Sequence, residues 1–293
     1  MVFSFTLCTR SFAPMVYSSR LNKRHLSTLR RAAFDRHIVY GIECHEVVVD
    51  IKNVGLITIL EATATSQEDL VDMALAIDDG DSILNIPNKL KVGDPYGAVL
   101  WPAASALANH LAETHDGKNN ITLLELGSGT GLVSLCASTL GISRVIATDY
   151  EVVPLKLLEF AQLHLNKGKT KIDTELFDLC DFRMALPKAD IVVAADIMYE
   201  PVTGRAMACR TLEALKRGNR VIICDSPGRA GRPAFLEELN RLGVKGTFGD
   251  TIGQTCYGPR HDLICGKTSS SVSDRPKPLI VALMDLDPDT CLE

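Results

Sequence analysis

The chain has 293 residues and a formal net charge of −5, and 46% of its residues are hydrophobic. This length is enough for one large domain or two small ones, and the hydrophobic fraction is enough for a sizeable core. The negative charge argues against a general nucleic-acid-binding surface, and no apolar run approaches the roughly 20 residues of a membrane span. Nine cysteines without a C-x-x-C pair are typical of a reducing compartment. The spacing of Cys256, His261 and Cys265 matches no zinc motif, so we expect no metal site.

The first 34 residues are rich in arginine and serine, and the first acidic residue of the chain is Asp35. This composition is typical of an organelle transit peptide, and its arginine content favours the mitochondrion over the plastid. A disordered basic tail on a cytoplasmic protein is the alternative. The chain is therefore divided into a transit peptide or tail at 1–36, an N-terminal segment at 37–90 and a main domain at 91–293.

The N-terminal segment is predicted to be a small β-rich appendage. Valine-rich and alternating runs predict strands at 45–51 and 56–60, with a hairpin turn at 52–55 between them. A capping box at Thr65–Glu68 predicts the start of a helix that continues to about Ile77.

In the main domain, predicted strands and helices alternate, which is typical of a doubly wound parallel sheet. The last two strand-like runs have no helix between them, only a long loop at 249–277, and so predict an antiparallel hairpin. The predicted strands are 121–125, 144–148, 171–177, 191–195, 220–224, 244–248 and 278–283, and the predicted helices are 101–111, 132–140, 153–165, 204–216 and 233–241.

A glycine-rich turn follows the first strand of the main domain, in the run LLELGSGTG. The strand ends in Glu125, three alternate glycines follow at Gly127, Gly129 and Gly131, and a helix-like run begins at Leu132. Glycine allows backbone to turn tightly and to approach a ligand closely, so this turn predicts a nucleotide-type site at the carboxyl edge of the sheet. The dinucleotide fingerprint would need glycine at the position of Leu132, which disfavours a dehydrogenase.

Acidic residues follow three further strands. Asp149 comes some twenty residues after the glycine turn, where a carboxylate can bind both hydroxyls of a ribose; an ordinary helix N-cap is the alternative. Asp178 and Asp181 follow the next strand. Asp196 follows a buried strand and is predicted to lie at the open carboxyl edge, with Tyr199 three residues further on.

The pattern E-x-G-x-G-x-G resembles motif I of the S-adenosylmethionine (SAM) methyltransferases. The resemblance implies a Rossmann-like sheet of seven strands, mostly parallel, in which the last strand is antiparallel and lies between the fifth and sixth. It also implies that the acidic residue and the glycine turn hold the methionine end of SAM. The loop after the third strand would contact adenine through Asp178 or, as the alternative, through Asp181. The implied cofactor site consists of Trp101, Glu125, Gly127, Ser128, Gly129, Gly131, Asp149, Asp178 and Ala195.

The run from Asp196 to Tyr199 resembles the Asp-x-x-Tyr motif of the methyltransferase-like protein lysine methyltransferases, which also have a tryptophan before the core, here Trp101. Ile197 and Met198 replace the two prolines of enzymes that methylate nucleic-acid bases, which disfavours a base as substrate. The resemblance implies that Asp196 orients the acceptor ammonium and that Tyr199 lines its channel. A core tyrosine after a strand end is the alternative.

The turn Asp225–Arg229 is similar, with Ser226 inserted, to a turn of the electron transfer flavoprotein β-subunit lysine methyltransferases; other branches match the remaining motifs about equally well. These features predict a SAM-dependent methyltransferase that acts on lysine side chains of a protein and binds neither nucleic acid nor membrane. The alternatives are a methyltransferase for a small molecule or a protein arginine, and a non-catalytic SAM-binding protein. The oligomeric state is left open.

Overall fold

The computed structural model describes residues 35–78, 95–117, 120–254 and 278–291. Residues 1–34 of the predicted transit peptide or tail and most of the long loop at 249–277 lie outside these ranges. Within them, no helix combines the length and the apolar character needed to cross a membrane.

The N-terminal segment forms a three-stranded antiparallel sheet. Its strands are β1 (Arg36–Val39), β2 (Ile42–Ile51) and β3 (Gly55–Ala62), in that order. The β2–β3 hairpin was predicted from alternation, whereas β1 was missed because it is only four residues long and lies mostly at the surface. The division of the chain into three segments stays a prediction.

Helix α1 (Ala64–Asp78) begins one residue before the predicted start, and the capping box at Thr65–Glu68 was wrong. The cap is Thr63, whose Oγ1 accepts a hydrogen bond from the Ser66 N–H at 3.4 Å. Thr63 is already fixed at the end of β3, because its N–H donates to the Glu43 carbonyl. The Thr63 hydroxyl therefore caps the free N–H groups at the start of the helix, and Thr65 lies within the first turn.

The main domain contains the predicted mixed sheet of seven strands. Its order is β6-β5-β4-β7-β8-β10-β9, and β10 is antiparallel to both of its neighbours, while β4 to β8 are mutually parallel. The predicted fold class is thereby confirmed. The strands are β4 (Thr122–Leu126), β5 (Arg144–Asp149), β6 (Ile172–Leu176), β7 (Ile191–Ala195), β8 (Arg220–Asp225), β9 (Gly249–Gln254) and β10 (Pro278–Leu286).

Helices connect the parallel strands, except that β6 and β7 are joined by a loop at 177–190. The fourth helix continues beyond its α-helical part as one π turn, Ala161–Leu165, in which the Asn166 N–H reaches back five residues to the Ala161 carbonyl. The helices are α2 (Pro102–Thr114), α3 (Leu132–Leu140), α4 (Val152–Phe160), α5 (Pro201–Lys216), α6 (Gly231–Arg241) and α7 (Pro288–Cys291), and a 3₁₀ turn precedes α2 at Pro95–Ala98.

One predicted strand was wrong. Residues 244–248 are not a strand, and the strand that pairs with β10 begins at Gly249. Val244 is apolar because it is buried beneath the end of α6, where its N–H closes the helix by donating to the Leu239 carbonyl. A short apolar run after a helix thus indicated burial rather than strand pairing.

The seven-stranded sheet buries both faces, so successive residues of a strand enter different cores. On β4, Leu123 packs in the cluster that contains α2 and α3, whereas Leu124 packs in the cluster that contains α5 and α6. This two-sided burial explains why the central strands are almost continuously apolar.

The three-stranded sheet shares the first of these cores and belongs to the same compact unit as the seven-stranded sheet. Val47 and Ile59 pack in one cluster with Leu107 of α2. A buried carboxylate adds a polar tie: Glu61 Oε1 accepts the N–H of Leu100 at 2.6 Å, directly before the chain enters α2. The N-terminal sheet therefore fixes the segment that carries Trp101.

We expect Glu61→Leu to lower the free energy of unfolding by about 1–3 kcal/mol, because the buried Leu100 N–H would lose its acceptor. Glu61→Gln retains an acceptor oxygen of similar reach and should cost clearly less. Urea unfolding of both variants tests the tie, and equal stabilities for Glu61→Leu and the wild type would contradict it.

Candidate active site

A cavity of about 590 Å³ opens at the carboxyl ends of the parallel strands. Its size is in the usual range of ligand sites, and its position is where open α/β sheets bind ligands. Its walls come from the 3₁₀ turn before α2 and from the loops after β4, β5, β6, β7 and β8. The lining residues are Tyr96, Gly97, Trp101, Gly127, Gly129, Asp149, Tyr150, Leu179, Ala195, Asp196, Ile197, Tyr199, Ser226, Pro227, Gly228, Arg229 and Leu279.

The three glycines of the turn after β4 all have positive φ, but they serve different purposes. A Cβ on Gly127 would lie 2.5 Å from Ile197, and one on Gly131 would lie 2.3 Å from Leu158, so both allow close packing. Gly129 differs, because a Cβ there would contact only the Gly97 carbonyl at 3.4 Å and Gly129 lines the cavity. Gly129 is the glycine at which a side chain would occupy ligand space.

Glu125 is buried and holds the helix that follows the turn. Its Oε2 accepts the N–H of Ser134 at 3.0 Å and the Ser134 hydroxyl at 2.5 Å. Burial raises the pKa of Glu125 to about 8, although the two Ser134 bonds oppose this rise. Glu125 is not among the residues that line the cavity, so the structure places it behind the glycine turn.

Asp149 lies at the end of β5 with its carboxylate against the turn. Oδ2 accepts the Gly129 N–H at 3.0 Å, and Oδ1 accepts the Glu151 N–H at 3.1 Å. The residue is buried but lines the cavity. Each carboxylate oxygen can accept a second hydrogen bond, so Asp149 can be held in place by the chain and still bind a diol.

The loop after β6 brings Leu179, not Asp178, to the cavity wall. Asp178 is exposed and its Oδ1 accepts the N–H of Cys180 at 2.8 Å. Asp181 pairs with Arg183, which lowers the pKa of the Asp181 carboxyl to about 2. The loop is shaped by Arg210 of α5, which donates to the carbonyls of Leu179, Asp181 and Met184.

Asp196 is not at an open edge. Its side chain is 1% exposed, and its φ of 58° turns the chain sharply after β7. Oδ2 accepts the N–H of Ala103 at 3.0 Å and the Ser226 hydroxyl at 2.8 Å. Oδ1 accepts the Ser226 N–H at 2.7 Å and Nε of Arg229 at 3.0 Å. The carboxylate thus joins the first turn of α2 to the loop after β8.

Two aromatic residues also line the cavity. Tyr199 is partly exposed and lines the cavity, as does Trp101 at the N-cap of α2. The guanidinium carbon of Arg229 lies 4.3 Å from the centre of the Trp101 ring, a cation–π distance. Sequence analysis assigned no role to Arg229; the only signal was its place in the turn Asp225–Arg229.

The predicted cofactor residues thus separate into two groups. Trp101, Gly127, Gly129, Asp149 and Ala195 meet at the cavity together with Asp196 and Tyr199. Glu125, Ser128, Gly131 and Asp178 are not on its wall. Their predicted contacts with the cofactor stay predictions.

SAM fits the residues present at this cavity. The Ser128 hydroxyl, between Gly127 and Gly129, is buried and has no hydrogen-bond partner among the described residues. At Gly129 the backbone of the turn itself lines the cavity, because a Cβ there would contact only the Gly97 carbonyl. Gly127 and Gly129 would accept the amino-acid part of SAM and Asp149 its ribose, while Leu179 offers an apolar surface for a base.

No cluster of three or more potential metal ligands occurs among the described side chains. Cys256, His261 and Cys265 lie outside the described residues.

The raised pKa of Glu125 predicts a pH-dependent stability. Between its ordinary value of about 4.3 and about 8, the folded state holds a proton that the unfolded state has lost. The free energy of unfolding should therefore fall with rising pH over this window, by roughly 2 kcal/mol from about pH 6 to about pH 9. Glu125→Gln removes this contribution, so its free energy of unfolding should fall less over the same pH range. Equal falls for the variant and the wild type, measured by chemical unfolding, would contradict the raised pKa of Glu125.

The four hydrogen bonds of Asp196 predict that Asp196→Asn is destabilising. An amide places N–H donors against donors from Ser226 and Arg229, and leaving such groups unpaired costs about 1–3 kcal/mol. Asp178→Asn is the matched control, because Asp178 is exposed. Thermal melts should separate the two variants, and a wild-type melting temperature for Asp196→Asn would show that these bonds contribute little.

Comparisons with known proteins agree with this site. A family model described as lysine methyltransferase matches residues 79–241, more than half of the chain. The electron transfer flavoprotein beta subunit lysine methyltransferase of Homo sapiens is 37% identical over 149 residues, covering 48% of this chain and 52% of the relative. The protein-lysine methyltransferase METTL21E of Mus musculus is 37% identical over 116 residues, covering 36% and 46%.

A third relative, the protein N-lysine methyltransferase METTL21A of Danio rerio, is 33% identical over 152 residues, covering 49% of this chain and 67% of the relative. The chain spans about half the length of the first two relatives. The cofactor of these methyltransferases is SAM, as the sequence predicted. The chain belongs to the lysine methyltransferase family.

Proposed function

We propose that this chain is a protein-lysine N-methyltransferase that uses SAM. The observation that supports this most directly is one cavity lined by two sets of residues: Gly127, Gly129 and Asp149 at the ends of β4 and β5, and Asp196 and Tyr199 in the loop after β7. The first set suits a nucleoside and an amino acid, and the second lies on the loop after β7, next to the cofactor side. One ligand and one acceptor side chain can therefore meet there.

When bound, SAM would supply a methyl group: the amine lone pair forms a bond to the methyl carbon, and the electron pair of the broken carbon–sulfur bond stays on sulfur. The chain has to position the acceptor and exclude water around it. Trp101, Leu179 and Ile197 give the cavity apolar walls, and Tyr199 lines its mouth. Correct placement of the reacting groups within about 1 Å is worth roughly a hundredfold in rate.

The acceptor amine must also be neutral. A lysine with a pKa of about 10.4 is mostly protonated near neutral pH, a handicap of roughly 4 kcal/mol. Desolvation in an apolar cavity lowers the pKa of a buried amine. The amine can then lose its proton to water before it accepts the methyl group, and no dedicated base is required.

A small molecule or a protein arginine is the alternative acceptor. Classical arginine methyltransferases have two glutamates in the loop after β7, and this loop has only Glu200, which is exposed beside the first turn of α5. A lysine acceptor therefore fits the loop better. A non-catalytic SAM-binding protein would have no need of the Asp-x-x-Tyr arrangement at the mouth.

The acceptor protein we propose is the electron transfer flavoprotein β subunit. Its support is the turn Asp225–Arg229 and the similarity to the human electron transfer flavoprotein beta subunit lysine methyltransferase. We also propose that the chain works in the mitochondrion, on the composition of the first 34 residues. A fluorescent protein fused to residues 1–36 should enter mitochondria; a diffuse cytoplasmic signal would contradict the proposal.

Purified chain and tritiated SAM test the activity, with recombinant electron transfer flavoprotein β subunit and a whole-cell protein extract as separate acceptors. We expect alkali-stable label, which mass spectrometry should locate on lysine. Label only on an extract protein would replace the proposed acceptor, label on arginine or a small molecule would replace the lysine assignment, and no label with intact SAM binding would favour a binding protein.

Gly129→Arg should abolish SAM binding in calorimetry while the fold remains intact, because the new side chain would enter the cavity from a position with φ of 49°. Gly218→Arg is the matched control. Gly218 also has a positive φ, 81°, with open space around it, but it does not line the cavity. Unchanged SAM affinity for Gly129→Arg would remove the glycine turn from the cofactor site.

A further inference from the structure

Arg229 is the positive group at the substrate side of the cavity. Its Nε lies 3.0 Å from Asp196 Oδ1, and its guanidinium stacks on Trp101. The other three donors to Asp196 are two backbone N–H groups and the Ser226 hydroxyl, all uncharged. Within the described part of the chain, Arg229 is the only cation in salt-bridge contact with the Asp196 carboxylate.

The neighbouring charges do not replace it. Asp225 at the end of β8 pairs with Arg232 of α6 at 2.8 Å, so Arg232 is engaged by Asp225, and burial raises the pKa of the Asp225 carboxyl to about 7. Burial raises the pKa of the adjacent Cys224 thiol, which keeps it uncharged. Asp149 of β5 lines the same cavity and accepts hydrogen bonds from the N–H groups of Gly129 and Glu151. The remaining titratable groups on the wall are Tyr96, Tyr150 and Tyr199.

An unbalanced Asp196 would work against methyl transfer. An anion within about 4–6 Å of an amine favours its charged form, and an ammonium has no lone pair to accept a methyl group. Asp196 and Arg229 line the cavity together, so both charges act electrostatically on an amine that enters it. A paired carboxylate can still shape the wall without holding the amine in its protonated form.

We propose that Arg229 balances the charge of Asp196 and thereby keeps the acceptor amine in its neutral, methyl-accepting form. This inference rests on the proposed function, since it concerns a lysine acceptor. It makes Arg229 a positioning residue that acts through Asp196, not a catalytic residue that touches the acceptor.

The test is the pH dependence of tritium transfer to the acceptor that the wild type labels, measured as initial rates at saturating SAM. Arg229→Gln removes the charge and retains N–H donors for Asp196, so we expect it to fold. The rising limb of its pH–rate profile should move by about one pH unit to higher pH. On that limb the rate should be about tenfold lower than that of the wild type, and the two should converge on the plateau.

Arg229→Lys is the matched control, because it retains the charge without the planar guanidinium. The rising limb of its pH–rate profile should lie at the same pH as that of the wild type. Arg229→Met, a second neutral variant, should move with Arg229→Gln. Trp101 is the only tryptophan of the chain, so its fluorescence during SAM titration reports the cavity without any turnover. Melting temperatures show whether each variant is folded.

A rate that falls by one factor at every pH, with a changed Trp101 signal, would show that Arg229 only supports the wall and would overturn the inference. An unmoved limb for both neutral variants would overturn it as well. Failure of the wild type to label any lysine would overturn the proposed function and this inference with it. A shift for both neutral variants but not for Arg229→Lys would support the inference.

Discussion

The carboxylate of Asp196 is the point at which the parts of the cavity are held together. It accepts four hydrogen bonds, from the first turn of α2, from the backbone and hydroxyl of Ser226, and from Arg229. Ala103 and Asp196 are 93 positions apart in the chain. Because these donors come from α2 and from the loop after β8, loss of the carboxylate would release the Trp101 segment and that loop from each other.

Two further buried carboxylates join other parts of the site. Glu125 binds Ser134 and so fixes the glycine turn to the helix that follows it. Glu61 binds the N–H of Leu100 and so fixes the N-terminal sheet to the segment before α2. A buried acid is costly unless it is hydrogen-bonded, and each of these acids has backbone N–H partners at a junction between elements. The hydrogen bonds of these buried acids therefore position the segments around the cavity, while the two apolar cores stabilise the sheet on which those segments lie.

Local patterns in the sequence were sufficient for the central fold. The turn LLELGSGTG predicted β4, the glycines and the start of α3 at Leu132, because strand, turn and helix are contiguous there. The antiparallel position of β10 followed from the family resemblance. The strand predicted at 244–248 failed because apolar residues at a helix end and apolar residues in an edge strand look alike in sequence.

The site was less predictable, since its decisive contacts join distant residues. Motif analysis found Asp196 but placed it at an open edge, and only the fold shows that Ala103 and Ser226 enclose it. Arg229 was visible only as part of a turn, although it contacts both Trp101 and Asp196. Asp178 was chosen by position after β6, yet the loop conformation set by Arg210 presents Leu179 to the cavity instead.

The most direct test of this account is a crystal structure of the chain with S-adenosylhomocysteine, the product form of the cofactor. The account predicts the nucleoside in the described cavity, with the Asp149 carboxylate on the ribose hydroxyls and the amino-acid part along Gly127 and Gly129. The sulfur should then face the wall formed by Asp196 and Tyr199. A ligand bound elsewhere, or one whose sulfur faces away from that wall, would contradict the account.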